Sequence, residues 1–249
     1  MRDNTDIIFR SEENKIIEIK DLPPYTLSDY DLADEKEYKR YLFDIEKICR
    51  NSKAYKAMVE FLRDHVNMNH CAFYKNVNNV DPTAITIHIH HSPLTLFDIV
   101  ETIFCKRMAK KEPITVNLVA KEVMYIHYKM MVGLIPLSET VHEIVHNGFL
   151  FVPTTHVFGK YKEFVDLYHP YMNSGLLENL KRSEKYSATY DYIKETKILK
   201  MDMIHLDISG AYELPKTEEI ISLLDNHIKD FDSKMTKIEL GSQVYDKKE

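Results

Sequence analysis

The sequence predicts an α+β protein that is mostly helical. Several stretches place apolar residues at intervals of three and four, which is the pattern of helices with one buried face. Residues 84–91 instead alternate isoleucine with threonine or histidine, which is typical of a strand with one apolar face. We expect three regions: an N-terminal arm and helical region at 1–82, a central region at 83–153 that contains the strand, and a C-terminal helical region at 154–249.

The predicted helices follow from this periodicity and from capping residues. The clearest helix covers 34–50, with tyrosine, leucine and isoleucine on its inner face, and Ser52 is expected to cap the next helix. The remaining predicted helices cover 95–111, 116–131, 138–146, 160–169, 174–195 and 216–230. In the short helix at 138–146, we expect a capping box between Thr140 and Glu143 and a C-terminal stop at Gly148.

The segments between the helices are predicted from composition and from weaker patterns. Residues 1–33 are expected to form an extended arm, and residues 76–82 a loop. Residues 133–137 are too few for more than a turn and a brief extended piece. Phe149–Pro153 is predicted to be a strand, and the weak alternation at 198–206 indicates an edge strand.

Composition places the chain among soluble globular proteins. Hydrophobic residues make up 44% and charged residues 29% of the 249 positions. No apolar stretch approaches the length of a membrane span, and the first residues lack the apolar core of a signal peptide. The three cysteines are far apart and form no Cys-x-x-Cys pair, which favours a reducing compartment and predicts a cytoplasmic protein. The net charge of −6 does not favour binding to a phosphate backbone.

Two histidine clusters carry the functional prediction. His142 and His146 are four residues apart on a predicted helix, so their imidazoles share one face. His90 and His91 end the predicted strand, from which a third imidazole would complete a metal-binding set. Such a set leaves positions for water and a phosphate oxygen, and a fourth histidine could remove a proton from that water. The cluster therefore indicates single-metal phosphodiester hydrolysis with one divalent ion, for which three imidazoles favour Mn²⁺, Ni²⁺ or Zn²⁺ over Mg²⁺.

The segment from Gly133 to Gly148 resembles a known motif. It reads Gly-Leu-Ile-Pro-Leu-Ser-Glu-Thr-Val-His-Glu-Ile-Val-His-Asn-Gly. With the upstream His-His dipeptide, it resembles the HNH endonuclease family, whose pattern continues as Asn-Leu-(Ile/Val)-Pro-Leu-Cys-x-x-Cys-His-x-x-(Ile/Val)-His-x-Gly. The Leu-Ile-Pro-Leu run, both histidines and the last glycine fall in register. The resemblance covers residues 85–148, and the general style of the chain also resembles that of tailed-phage proteins.

The resemblance implies a ββα-metal finger that hydrolyses DNA. It assigns His91 as the general base that activates water, and His90, His142 and His146 as the metal ligands. Gly133 stands where the family has an asparagine that braces the loop carrying the base, so the base would be held less firmly.

Other positions near the motif receive lesser predictions. His88 and His156 are candidates for supporting the site as additional ligands or substrate contacts, with a solvated strand residue as the alternative for His88. His127 is expected to be a hydrogen-bonded packing residue. Ser138 and Val141 occupy the two cysteine positions of the family pattern, so its structural zinc site is not expected here.

In a second hypothesis, the chain has the HNH-derived fold but no catalytic activity. In it the protein is a phage accessory factor for binding or assembly, and its partner is another protein or a second copy of the chain. The acidic charge, the missing asparagine and the long flanks outside the motif favour this hypothesis. DNA is the expected partner under the nuclease hypothesis, and a membrane is expected under neither.

Overall fold

The computed structural model describes residues 30–74, 77–78 and 86–189, together with the separate positions 9–10, 16–17, 222 and 226. This part of the chain is mostly helical with two small antiparallel sheets, so the α+β class is confirmed. Its helices are α1 (Glu35–Asn51), α2 (Lys53–His65), α3 (Leu96–Ala109), α4 (Val116–Tyr128), α5 (Glu139–His146), α6 (Tyr161–Tyr168) and α7 (Ser174–Thr189). Its strands are β1 (Phe9–Arg10), β2 (Ile16–Ile17), β3 (Ile87–His91) and β4 (Leu134–Ser138), and short 3-10 turns occur at Thr154–His156 and His169–Tyr171.

Several predicted segments fall wholly or largely outside the described residues. Of the N-terminal arm, the two-residue strands β1 and β2 are described and pair with each other in antiparallel fashion. Most of the predicted loop at 76–82 and the whole predicted strand at 198–206 lie outside the described part. Of the predicted helix at 216–230, only positions 222 and 226 are described, both as helical. The division into three regions stays a prediction.

Helices α1 to α4 supply the main hydrophobic core. The predicted inner face of α1 is confirmed, since Tyr41, Leu42 and Ile45 are fully buried. The side chain of Ser52 accepts a hydrogen bond from the backbone N–H of Tyr55, so its predicted capping role is confirmed as well. Burying large apolar side chains contributes about 25 cal/mol for each Å² removed from water, so this core is a main source of stability for the described part of the fold.

Strands β3 and β4 form the second layer. They are antiparallel, with His90 opposite Ile135 and His91 opposite Leu134. The segment predicted as a turn and a brief extended piece is therefore a complete five-residue strand. Its Pro136 lacks an N–H, but its carbonyl accepts a hydrogen bond from the N–H of Ala72 at 2.8 Å. The backbone of Pro136 thus faces the edge of the sheet away from β3, where a missing donor does not break the ladder.

Helix α5 follows β4 without a connecting loop. Ser138 occupies the N-cap without a side-chain hydrogen bond, so the predicted capping box is wrong because the helix begins at Glu139 and Thr140 lies inside it. The predicted stop is confirmed: Gly148 has a φ of +72°, and its N–H donates to the carbonyl of Val145. The next N–H, of Phe149, reaches back to Ile144, which completes a Schellman cap. Since this cap turns the chain, the predicted strand at Phe149–Pro153 is not formed.

The remaining elements close the described part of the molecule. Helices α6 and α7 lie where helices were predicted, with residues 190–195 of the second prediction outside the described part, and Phe164 and Leu180 add to the core. Among the described residues, no helix combines the length and the apolar character needed to cross a lipid bilayer.

Candidate metal centre

Three histidines from two elements converge on one point of the surface. His90 comes from β3, and His142 and His146 come from α5. One ring nitrogen of each lies within 4.8 Å of the other two, and the Nε2 atoms of His142 and His146 are 3.1 Å apart. Two nitrogens bound to a tetrahedral ion at about 2.0–2.1 Å lie about 3.3 Å from each other, so the observed spacing suits a shared ion. Within the described part of the chain, this is the one group of three such side chains.

Local geometry explains why these side chains meet. A separation of four residues places His142 and His146 one turn apart on the same face of α5, with ring centroids 4.3 Å apart. On β3, alternation directs His90 to the face covered by α5, where its ring contacts both helix histidines with centroids 5.1 Å away. The direct junction between β4 and α5 brings the helix back over its own sheet.

The environment keeps two of these histidines neutral. Burial, reinforced by the neighbouring His142 and His146, lowers the pKa of His90 to about 4. Burial and the neighbouring His146 and His88 likewise lower the pKa of His142 to about 4. Near neutral pH both rings therefore carry a lone pair, which is the form that binds a metal ion.

The two predicted support histidines lie outside the group of three. The ring of His88 stacks on that of His142, with centroids 5.0 Å apart and an angle of 23° between the planes. His88 thus packs against a candidate ligand. His156 lies in a 3-10 turn, where its Nδ1 is 3.0 Å from the hydroxyl of Thr155.

His91 points to the opposite face of β3 and into the protein. Its side chain is only 5% exposed, and its Nε2 lies 2.9 Å from Nε2 of His127. The Nδ1 of His127 donates to the carbonyl of Val123 at 2.7 Å, which leaves its Nε2 as an acceptor. His91 therefore donates to His127, and both rings are neutral because burial lowers their pKa values. The prediction that His127 is a hydrogen-bonded packing residue is confirmed.

The buried pair predicts loss of stability in acid. Burial lowers the pKa of His127 to about 4 in the folded chain, whereas an unfolded histidine titrates near 6.5. Between these values the unfolded state binds more protons, so stability is complete above about pH 6.5 and falls as the pH drops towards 4. We expect His127 alone to contribute about 3 kcal/mol to this loss, measured by urea unfolding in the presence of a chelator.

The control for this prediction removes both rings together. In the double variant His91→Leu/His127→Leu, neither partner is left unpaired, so the fold should survive at pH 7.5. Its unfolding free energy should then fall less between pH 6.5 and 4 than that of the wild type. An unchanged pH dependence would contradict the assignment.

Gly133 lies at a very close backbone contact. A Cβ added there would be 1.9 Å from the carbonyl oxygen of Ser92 and 2.7 Å from Cγ1 of Val157. The Gly133 carbonyl also accepts the N–H of Ser92. A side chain of any size is therefore excluded, and glycine is required by packing beside β3 and β4 rather than standing in for an asparagine.

An open cleft of about 390 Å³ borders the three histidines. Its charged lining residues were not identified from the sequence: Glu46 and Arg50 on α1, and Arg63 on α2. They carry no local motif and line the cleft through tertiary packing. Helix α2 contacts β3 through the hydrogen bond from Arg63 to Ile87, and α1 packs against α2. Arg50 donates from Nε and Nη2 to a carboxylate oxygen of Glu46, at 3.0 and 2.7 Å. Apolar side chains, including Ile89 and Phe97, complete the walls.

The comparison with protein families decides what kind of protein carries this centre. Residues 3–211 match the model of the family described as bacteriophage G278-like virion protein, which covers far more than half of the 249 residues. The chain belongs to this virion protein family. No curated protein and no solved structure shows significant similarity to the chain.

Membership of this virion protein family overturns the nuclease interpretation. The identification as an HNH endonuclease is wrong, and the assigned function of DNA hydrolysis is wrong with it. The motif covers residues 85–148, whereas the virion family match extends over 3–211. The expected DNA substrate has no support, and the general-base role of His91 was inferred from the same resemblance. The phage character of the chain is confirmed.

The error has a physical cause. A histidine at a strand end and two histidines four residues apart on a helix describe a way to hold an ion, and this geometry does not require a nuclease. The short strand–strand–helix segment of this chain therefore matched the HNH pattern through the spacing of its histidines. The rest of the pattern is not reproduced, since Gly133 replaces its asparagine and His91 is buried against His127.

Proposed function

We propose that this chain is a structural or accessory component of the phage particle and acts by binding other virion proteins. The family match over residues 3–211 is the observation that carries this proposal. The net charge of −6 and the equal numbers of acidic and basic residues around the motif also favour a protein partner over nucleic acid. We place the chain in the host cytoplasm while particles assemble.

We also propose that one divalent metal ion, bound by His90, His142 and His146, stabilises the site. Helix α5 has eight residues; Val141 is fully buried, and Ile144 and Val145 are partly buried against the same apolar cluster, so its apolar face is small. An ion that links α5 to β3 would add a further attachment, because metal-binding free energy adds to folding free energy. Three imidazoles favour Zn²⁺, Ni²⁺ or Mn²⁺ over Mg²⁺.

The virion assignment is tested on purified phage particles. Particles are banded twice on a density gradient, and their proteins are quantified by mass spectrometry against isotope-labelled peptides of this chain. We expect a fixed copy number relative to the major capsid protein, across preparations. A phage-encoded enzyme of the infected cell serves as the control for contamination. If this chain is present in the lysate but is depleted from the particles to the same extent as that enzyme, the assignment is refuted.

A further inference from the structure

Three imidazoles leave the coordination of an ion incomplete. Zn²⁺ in proteins takes four ligands, and three protein ligands leave one position open to a water or to another molecule. Among the described residues, no fourth histidine, cysteine, aspartate or glutamate joins His90, His142 and His146. The cleft of about 390 Å³ gives access to this side of the group, since all three histidines line it.

The same cleft contains a guanidinium whose hydrogen bonding is incomplete. Arg63 donates from Nη2 to the carbonyl of Ile87 at 3.0 Å. Its Nε is buried and has no hydrogen-bond partner in the described structure. No carboxylate of the described residues forms an ion pair with Arg63, in contrast to Arg50, which is paired with Glu46. Arg63 also lines the cleft, so its guanidinium, which forms no ion pair with a described carboxylate, can donate to an oxyanion that enters there.

The charge of the cleft also favours an anion. Its lining holds two arginines and one glutamate, a sum of +1 with the histidines counted as neutral, in a chain whose net charge is −6. A divalent ion at the three histidines would raise this local sum to +3. Opposite charge concentrated in a cleft attracts and orients an anionic group.

We propose that the cleft binds a carboxylate of another virion protein, an aspartate or glutamate side chain. One carboxylate oxygen completes the coordination of the ion, and the other accepts hydrogen bonds from Arg63. This inference rests on the proposed metal centre and names the chemistry of the partner in the proposed virion role. A protein side chain suits the cleft better than a nucleic-acid phosphate, because Phe97 in its wall contacts the half-exposed Phe43 and aromatic residues are enriched at protein interfaces.

The test uses Co²⁺ as the metal and acetate as the carboxylate probe on the full chain. Co²⁺ is added first, and its visible absorption reports binding to the histidines. Acetate is then titrated, with methyl phosphate in a parallel titration. We expect a saturable change of the Co²⁺ spectrum with acetate at lower concentration than with methyl phosphate. In Arg63→Gln, acetate binding should weaken about tenfold or more, while the affinity for Co²⁺ stays the same.

Arg182→Gln is the matched control, since it removes one positive charge from an exposed pair with Glu178 on α7. Its acetate affinity should equal that of the wild type. Unchanged Co²⁺ affinity of Arg63→Gln shows that this variant is folded at the site. The wild-type titration with acetate tests carboxylate binding even if the variant does not fold. If Co²⁺ binds but its spectrum does not respond to acetate, or if methyl phosphate binds more tightly than acetate, the proposal that the cleft binds a carboxylate would be overturned. Failure of Co²⁺ to bind at all would overturn the metal centre itself.

Discussion

Replacement of His90 by alanine is expected to lower the affinity for Zn²⁺ by more than a hundredfold. Loss of a group that only supports a ligand costs about 10–100-fold, and loss of the ligand itself should cost more. His90 is the single ligand from β3, so the remaining two histidines would bind an ion without connecting α5 to the sheet. The affinity is measured by competition with a chromophoric chelator.

The same variant should also lose the stabilisation by metal. An ion present at about a thousand times its Kd stabilises the native state by roughly 4 kcal/mol, so the wild type should melt at a higher temperature with Zn²⁺ than with a chelator. At the same Zn²⁺ concentration His90→Ala would be at no more than about ten times its own Kd, so the stabilisation should fall to about 1.4 kcal/mol or less and most of the shift in melting temperature should be lost. His156→Ala is the matched control, because His156 lies outside the group of three and should keep the full Zn²⁺ effect.

Two results would count against this centre. If His156→Ala lost the Zn²⁺ effect to the same extent as His90→Ala, the ion would be bound elsewhere. If wild-type protein showed no metal-dependent change in melting temperature, an ion would not connect β3 and α5 in solution.

Replacement of Gly133 by alanine is expected to destabilise the fold by about 3 kcal/mol or more. The new Cβ would lie 1.9 Å from the carbonyl oxygen of Ser92, and this oxygen belongs to the backbone, so it cannot rotate away. Relief would require β4 to move away from the chain at Ser92. The free energy of unfolding is measured by urea titration followed by circular dichroism.

Gly175→Ala is the control for this substitution. Gly175 lies in α7, and the nearest atom to an added Cβ is Oδ1 of Asn173 at 3.4 Å, an ordinary contact. Alanine there should be neutral or stabilise by up to about 1 kcal/mol, since glycine is a poor helix former. Equal stability of the two variants would show that the backbone at Gly133 adapts to a side chain.

The variant Gly133→Asn extends this test to the overturned interpretation. It places the asparagine of the HNH pattern at its matching position, and it should be at least as unstable as Gly133→Ala. The HNH pattern requires asparagine at position 133, whereas the packing of this chain requires glycine. The packing therefore explains why glycine is present.

Features that depend on neighbours in the chain were predictable from the sequence. The inner face of α1, the cap at Ser52 and the stop at Gly148 each follow from residues within a few positions. The convergence of His142 and His146 has the same origin, because one helical turn separates them. The alternation along β3 likewise separates His90 from His91 before any tertiary contact is known.

Features that depend on distant segments were decided by the tertiary structure. Segment 134–138 is a strand because β3 lies beside it, and Gly133 is required because the carbonyl of Ser92 lies against it. Neither partner is adjacent in sequence, and neither leaves a local pattern. The cap predicted at Thr140 failed for a related reason, since α5 begins directly where the strand ends.

Local patterns in the sequence were enough to predict the mostly helical character of the described residues and to place His142 and His146 on one face of a helix. The burial of His91 against His127, and the position of Arg50 and Arg63 in a cleft at the three histidines, depend on packing between distant segments. The physical reason is the range of the interactions. Helical and strand periodicity act over a few residues, whereas the cleft exists only after α2 contacts β3 and α1 packs against α2. This packing brings together side chains that no short pattern connects.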